Sequence, residues 1–383
     1  MNKIFFPLLL GTVLLPDSSF THENPEVAAL DVLHEKLLRL SATVGSVSAN
    51  LSPIEQERAA FFLVSTYSLV VQSIIERGDP AHPMLTEWMD PPRKFAGDNP
   101  YTIYTQVPVN IAYTYKLSGR KGSYIYLGVQ LYGEKSGFNL PTGNTSLRQI
   151  EFNADDTFDI YIGVARPAEA KNFLQLSQGD HTFLVRQYFD KRDGNIPADL
   201  SIRRVDSSSI PGPDYLTRIR RATTLLTDYV LGTMDVVALL RENAMNRYPS
   251  KSAQVREPKY GGALYPTKDN RYEGCYVRLK KGQAMRVHGR LPRDTLYASY
   301  VFYDRWYNTP SYPRVNCFRT MNEVVLNSDG TFDLYISPET INHPNWIDTG
   351  GLYEGSYSSR YMLSSETEFP TVEIVSIADI KPR

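Results

Sequence analysis

Arginine and tyrosine alternate in one short segment, residues 186–190, which reads Arg-Gln-Tyr-Phe-Asp. If this segment is a strand, Arg186, Tyr188 and Asp190 share one face, because successive side chains of a strand point to opposite sides. Two interpretations are open. Either Arg186 and Asp190 satisfy each other or a loop carbonyl, as buried charges must, or Arg186 holds an anion in a pocket to which Tyr188 donates a hydrogen bond.

A second dense cluster, residues 303–307, reads Tyr-Asp-Arg-Trp-Tyr. The same alternation places Tyr303, Arg305 and Tyr307 on one face of a strand. Aromatic rings around a guanidinium group suit a planar or sugar-like ligand, but they also form cation–π contacts inside a core. The sequence leaves both interpretations open.

Residues 343–348, His-Pro-Asn-Trp-Ile-Asp, are predicted to form a loop because they contain Pro and Asn. His343 and Asp348 would act as an acid–base pair if folding brought them together. The alternative is an architectural role, in which Asn345 ties a turn and Trp346 fills the interior of a β-sandwich.

Known catalytic motifs are missing from the sequence. The six histidines are scattered without a zinc-binding spacing, and no nucleophile elbow or phosphate-binding glycine loop follows a strand. No metal and no cofactor are therefore predicted. Cys275 and Cys317 either pair in an oxidising compartment or remain as small buried residues.

The framework that must position these residues is predicted to be mostly β. The chain has 383 residues, with 26 Tyr, 25 Pro and 24 Gly, a mixture of strand-favouring aromatics and turn formers. Lys and Arg number 41 and Asp and Glu 42. Because this balance lacks the basic excess that phosphate neutralisation needs, no nucleic-acid partner is predicted.

The first residues predict export. Ile4 to Leu15 is an apolar run of 12 residues, shorter than the roughly 20 of a membrane-spanning helix. We expect residues 1–20 to be a signal peptide and the mature protein to be periplasmic or secreted, without a stable membrane span. A buried N-terminal helix or a retained anchor is the alternative.

Helical patterns occur at two places. Apolar residues repeat every three or four positions from residue 27, and Ser52 and Glu55 form a capping-box pattern, so residues 25–95 are predicted to be a helical region. The spacing of Ile219, Ala222 and Leu226 predicts a connecting helix within residues 211–250.

Two β regions, residues 96–210 and 258–380, look like copies of each other. Residues 154–163, ADDTFDIYIG, recur as residues 328–337, SDGTFDLYIS, and the Arg186 and Arg360 positions correspond in the same order. The pattern predicts two homologous β-sandwich or jelly-roll-like lobes. Arg305 and Asp348 have uncharged counterparts near Gly133 and Gln175, so the shared frame does not require their charges.

Several of these segments resemble a known family. Residues 97–100, 172–174, 185–189, 197–202 and 343–351 are similar to signatures of the bacterial proteins with domains of unknown function 1254 and 1214. The resemblance covers most of residues 25–378. It implies an N-terminal 1254-type and a C-terminal 1214-type region, a mostly β fold with helical insertions, and no established reaction. Phe173 and Gly350 depart from the pattern, where Trp and Ala are expected.

The sequence thus predicts an exported protein that binds a small organic or saccharide ligand in a cleft between two lobes. A metal-independent lyase, isomerase or hydrolase that uses Tyr, Asp, His and Arg is the first alternative. A structural envelope protein is the second, and a homo-oligomer is left open. The expected ligand-binding residues are Tyr303, Arg305, Tyr307, His343, Trp346, Asp348, Arg360, Arg186 and Tyr188.

Overall fold

The computed structural model describes residues 23–135, 138–191, 193–248, 265–312, 314–365 and 369–382. The predicted signal peptide, residues 1–20, lies outside the described residues.

Three α-helices form one layer of the molecule: α1 (Pro25–Ser48), α2 (Pro53–Val70) and α3 (Tyr215–Asn243). The predicted capping box is confirmed at the start of α2, where Ser52 and Glu55 exchange hydrogen bonds. A π-helical turn, Val71–Glu76, continues α2. The helical region ends there and not at residue 95 as predicted, because Thr86–Met89 is a strand. Asp214 caps α3 by accepting a hydrogen bond from the Thr217 amide.

The helices contribute apolar faces to a shared core. The buried side of α3 carries the predicted residues Ile219, Ala222 and Leu226, all fully buried. Two helical stretches, Pro53–Glu76 and Tyr215–Asn243, are long and apolar enough to cross a membrane by length and composition. Both supply buried residues to this core, as the helices of a folded domain do.

Among the described residues, the first lobe contains nine strands in two sheets. These are β1 (Thr86–Met89), β2 (Thr102–Pro108), β3 (Tyr115–Arg120), β4 (Tyr126–Lys135), β5 (Phe138–Ser146), β6 (Thr157–Gly163), β7 (Asn172–Gln175), β8 (Asp180–Tyr188) and β9 (Asp199–Arg204). One sheet has the order β1-β2-β8-β4-β5 and the other β7-β6-β3-β9. Apolar side chains from both sheets, such as Val129, Ile160 and Val185, fill the sandwich.

The second lobe contains eight strands. These are β10 (Asn270–Arg278), β11 (Gln283–Arg290), β12 (Tyr297–Tyr303), β13 (Phe318–Thr320), β14 (Thr331–Ser337), β15 (Trp346–Asp348), β16 (Glu354–Met362) and β17 (Thr371–Ser376). The sheet orders are β10-β16-β12-β13 and β15-β14-β11-β17.

The two lobes repeat one topology. The order β2-β8-β4-β5 corresponds strand for strand to β10-β16-β12-β13, and β7-β6-β3-β9 corresponds to β15-β14-β11-β17. Even the parallel pairings recur, β6 with β7 and β14 with β15. The predicted fold of two homologous β-sandwich lobes, with an N-terminal helical region and a connecting helix, is confirmed. Strand β1 occurs in the first lobe only.

Two asparagines make equivalent hydrogen bonds in the two lobes. Asn172 accepts from the Glu151 amide and donates to the carbonyls of Glu151 and Asp159. Asn345 makes the matching three bonds in the second lobe, to the Val325 amide and carbonyl and the carbonyl of Asp333. Both side chains are buried, so each asparagine ties a loop to the sheet beside it.

The two cysteines are separate and buried. Cys275 lies in the core of the second lobe, and Cys317 lies in a smaller apolar cluster with Val301 and Phe318. Both thiols are free, and burial raises the pKa of each. Because a buried thiol with a raised pKa is rarely ionised, we expect both cysteines to be unreactive core residues.

Candidate functional site

A cavity of about 40 Å³ lies between the two lobes. The residues around it come from both lobes and from the segment after β1. They are Trp88, Met89, Phe95, Ala96, Gly97, Tyr104, Arg186, Tyr188, Tyr265, Thr267, Tyr272, Tyr307 and Arg360.

Arg186 and Arg360 occupy equivalent positions in the duplicated sheets. Arg186 on β8 pairs across the sheet with Tyr104 on β2, and Arg360 on β16 pairs with Tyr272 on β10. Each guanidinium carbon lies 5.8 Å from the ring centre of its partner tyrosine, within the distance of a cation–π contact. The two lobes therefore present the same Arg–Tyr pair to one cavity.

A third residue in each lobe supports the arginine from outside the cavity. The Nη1 of Arg186 donates to the hydroxyl of Tyr132, 2.6 Å away, in β4. The Nη2 of Arg360 donates over the same distance to the hydroxyl of Tyr303, at the end of β12. These bonds fix both guanidinium groups without neutralising them.

Each arginine also crosses to the opposite lobe. Arg186 donates through Nη2 to the carbonyl of Tyr265, at 2.8 Å, in the segment that leads into the second lobe. Arg360 donates through Nη2 to the carbonyl of Gly97, in the segment that leads into the first. Gly97 and Tyr265 each stand seven residues before the paired tyrosine, Tyr104 or Tyr272. The crossed bonds tie the lobes together at the cavity.

The backbone at both carbonyls is unusual. Gly97 has φ +78° and Tyr265 has φ +55°, a conformation that costs little for glycine and is strained for tyrosine. A Cβ on Gly97 would also lie 2.5 Å from Cε1 of Tyr307. Glycine is therefore required where the first lobe presents its carbonyl to Arg360.

No carboxylate compensates the two arginines among the described residues that line the cavity. Only 4% of Arg186 and 5% of Arg360 is exposed, and the same tyrosines, Tyr104, Tyr188 and Tyr272, lie near both guanidinium groups. The buried Nε of Arg360 has no partner in the described part of the chain. Buried charges are ordinarily paired, but the described residues that line the cavity offer these two cations no counterion.

The surrounding phenols stay neutral and act as donors. Burial raises the pKa of Tyr104 and of Tyr188, so neither supplies negative charge at neutral pH. The hydroxyl of Tyr104 accepts from the Asn99 amide at 3.0 Å, and that of Tyr272 accepts from the Thr267 amide at 3.1 Å. Each phenol therefore retains its own O–H to donate into the cavity.

Four of the nine expected site residues, Arg186, Tyr188, Tyr307 and Arg360, line this cavity. Tyr303 stands behind Arg360 and binds it. Arg186 does not pair with Asp190, which accepts from Asn322 Nδ2. The other part of that interpretation agrees with the structure, because Arg186 donates to a loop carbonyl, that of Tyr265.

Arg305 points away from the cavity. Strand β12 ends at Tyr303, and Tyr307 has φ +59°, so the alternation expected for residues 303–307 is broken by a turn. Arg305 forms ion pairs with Glu55, at 2.6 Å, and Glu354, at 2.9 Å. It borders a separate open groove between α3 and the second lobe.

His343, Trp346 and Asp348 are likewise not part of this cavity. The Nδ1 of His343 accepts from the Asn345 amide, and the indole Nε1 of Trp346 donates to the carbonyl of Ser337. The carboxylate of Asp348 accepts from the Gly350 amide at 2.8 Å. Trp346 is half-buried, so it does not fill the sandwich as the architectural interpretation expected.

Sequence reasoning missed several wall residues. Tyr104 and Tyr272, the tyrosines paired with the arginines, and Trp88, Met89 and Phe95 were not expected at the site. A signal for the tyrosines exists in the repeat, because Tyr104 and Tyr272 correspond as Arg186 and Arg360 do. Residues kept in both lobes were the better guide to the cavity.

A second cavity of about 60 Å³ adjoins the first, and Tyr265 borders both. His181, Gln106 and Arg218 line it. Burial is the main reason that the pKa of His181 is lowered to about 4, with the nearby positive charge of Arg221 as a further cause. This imidazole is therefore neutral at neutral pH.

The described residues contain no group of three or more His, Cys, Asp or Glu side chains placed to hold a metal ion.

One solved structure shares the fold of this chain. A crystal structure of an uncharacterised protein from Burkholderia cenocepacia has a TM-score of 0.83 at 21% identity, covering 92% of this chain and 98% of that one. At this identity the likeness shows a shared fold. A structure from Vibrio parahaemolyticus covers 91% of this chain and 100% of its own at 10% identity, with a TM-score of 0.47. No curated protein matches the chain.

One family model matches the chain in both lobes, over residues 104–191 and 262–366. The two segments make up half of the chain and contain both arginines of the cavity. The assignment of the first lobe to a 1254-type region stays a prediction. The chain belongs to the family described as protein of unknown function (DUF1214).

Proposed function

We propose that this protein binds a small organic anion in the cavity between its lobes. The observation that carries the proposal is the pair of buried guanidinium groups, Arg186 and Arg360, without a carboxylate among the described residues around them. Burying a charge without a counterion costs several kcal/mol. A bound anion would offset that cost for both arginines at once, which narrows the expected organic or saccharide ligand to an anionic one.

The residues that line the cavity favour ligand binding over the enzyme alternative. A general base must lie within hydrogen-bond reach of the proton it takes, and the described lining residues include no His, Asp or Glu. Because burial raises the pKa of Tyr104 and Tyr188, these phenols suit donation to a ligand and not proton abstraction.

Isothermal titration in low-salt buffer, with formate, acetate and phosphate as probes, tests the proposal. Wild type should bind at least one of them saturably, and Arg186→Met and Arg360→Met should each weaken that binding at least tenfold. Arg305→Met is the matched control, since that arginine already has two carboxylate partners. If a methionine variant fails to fold, Arg186→Lys and Arg360→Lys replace it, and each should still weaken binding by losing the planar fork.

Two results would overturn the proposal. One is the absence of binding by any of the three anions to wild-type protein. The other is an affinity that stays the same in both cavity variants or falls equally in the Arg305→Met control.

Export is a second part of the proposal and rests on the apolar run from Ile4 to Leu15 alone. The intact mass of the protein isolated from its natural source should correspond to a chain that begins near residue 20. A mass that includes Met1 would contradict export by cleavage.

A further inference from the structure

The polar groups around the cavity are almost all donors. Arg186 and Arg360 only donate, and the hydroxyl oxygens of Tyr104, Tyr188 and Tyr272 already accept bonds from protein N–H groups. A sugar hydroxyl needs an acceptor as well as a donor, whereas a carboxylate only accepts. The wall therefore matches a ligand whose polar end carries acceptors alone.

The size of the cavity limits the ligand to a few atoms. About 10–15 Å³ of such space holds one water molecule, so 40 Å³ holds three or four non-hydrogen atoms by the same measure. A carboxylate with one further carbon, four non-hydrogen atoms in all, fills this space. A monosaccharide or an aromatic acid would require the walls to move.

One wall of the cavity is apolar and is formed by a single segment of the chain, β1 and the turn after it. Trp88 and Met89 belong to β1, and Phe95 follows in the next turn; all three are buried. The rings of Trp88 and Phe95 meet edge to face at 5.4 Å, which fixes the surface. A tetrahedral oxyanion would place an oxygen against this wall and lose its hydration there. A carboxylate places its oxygens on one side and its alkyl group on the other.

From these three features we infer that the ligand is a monocarboxylate of two carbons, held by both guanidinium groups with its methyl group on Trp88, Met89 and Phe95. This inference rests on the proposed function and specifies its ligand class.

A chain-length series tests the ligand class. Formate, acetate, propionate, butyrate, inorganic phosphate and sulfate are titrated separately into wild type, Met89→Ala and the control Met84→Ala, whose side chain is 48% exposed and outside the cavity. Acetate should bind most tightly to wild type, and butyrate at least tenfold more weakly. In Met89→Ala the optimum should move to a longer chain, by about fourfold in affinity for each methylene newly buried. Met84→Ala should keep the wild-type profile.

The outcomes separate this inference from the proposed function. If phosphate or sulfate binds more tightly than every carboxylate, the ligand class is wrong and anion binding stands. If affinity rises steadily through butyrate in wild type, the size limit is wrong. An unchanged chain-length profile in folded Met89→Ala contradicts contact with the apolar wall. If no anion binds at all, the proposed function fails together with the inference.

Discussion

The two halves of the cavity share their cations and differ in their apolar surface. Each lobe contributes one arginine, Arg186 or Arg360, held by a tyrosine hydroxyl from its own sheet and by a carbonyl of the other lobe. Only the first lobe contributes β1, with Trp88 and Met89. The duplicated strands thus supply charge twice, and one added strand supplies the apolar wall. We infer that affinity for an anion is shared between the lobes and that choice among anions belongs to the first.

The largest effect is expected where the lobes differ most in charge. Asp304 is buried and accepts from Arg58 Nε at 2.7 Å and from the amides of Trp306 and Asn308. When the strands are aligned on Arg186 and Arg360, its position in the first lobe is held by the uncharged Gly133. Asp304→Ala leaves the partly buried guanidinium group of Arg58 without its carboxylate partner. We therefore expect a loss of about 3–5 kcal/mol in the free energy of unfolding. Urea denaturation measures it, with the exposed Asp155→Ala as control.

A loss below about 1 kcal/mol in Asp304→Ala would show that this carboxylate does not attach the second lobe to α2. The difference in charge between the lobes at this position would then make no measurable contribution to stability.

His181 makes the stability of the first lobe depend on pH. Because the pKa is lowered to about 4 in the folded protein, from an ordinary 6.5, the unfolded chain binds a proton more readily. The histidine's contribution is therefore complete above pH 6.5 and is lost as the pH falls toward 4, by about 3 kcal/mol at most. The difference in unfolding free energy between wild type and His181→Gln, measured at pH 7 and pH 4.5, should shrink toward the acid side. A difference that is constant with pH contradicts the prediction.

Asn172 and Asn345 test whether the lobes are equivalent in energy as well as in topology. Each makes three hydrogen bonds to backbone groups, and replacement by Ala leaves buried backbone groups unsatisfied. We expect each variant to lose about 2–3 kcal/mol, and the two losses to agree within about 1 kcal/mol. Chemical denaturation of both variants provides the comparison, and a loss confined to one lobe would break the equivalence.

The smallest effect on anion binding is expected at Arg305, the arginine that the sequence favoured. Its ion pairs with Glu55 and Glu354 are mostly buried, with 17% of the arginine side chain accessible, and Glu354 keeps a second partner in Arg278. Arg305→Met should therefore cost about 2 kcal/mol in the free energy of unfolding and leave anion affinity unchanged. A tenfold loss of anion affinity with stability intact would move the site from the cavity to the groove beside α3.

Much of the fold could be predicted because its signals are local. The Ser52–Glu55 capping box and the spacing around Ala222 determine helices through neighbouring residues. The recurrence of segment 154–163 revealed the duplication. Strand order could not be predicted, because pairs such as β6 with β7, which run parallel, join segments through long-range contacts that no local pattern specifies.

The site was predicted only in part, and the comparison of the two lobes shows why some of its residues were missed. Weight was given to residues that differ between the lobes, Arg305 and Asp348, on the argument that a shared residue serves the frame. Arg186 and Arg360 are shared, yet their side chains line the cavity between the lobes. A two-lobed molecule whose copies face each other can build one site from two copies of the same residue. The prediction that side chains alternate between the two faces of a strand also failed beyond Tyr303, because the strand ends there.

The account depends most on one claim, that both arginines face a single anion. A crystal structure of the full chain grown with bromide in place of chloride tests it, because bromide is located by its anomalous scattering. The account predicts a bromide ion in the cavity with nitrogen atoms of both Arg186 and Arg360 within about 3.5 Å, a distance that counts as direct hydrogen-bond contact. A cavity that holds only water, or a bromide ion that touches one arginine alone, would contradict it.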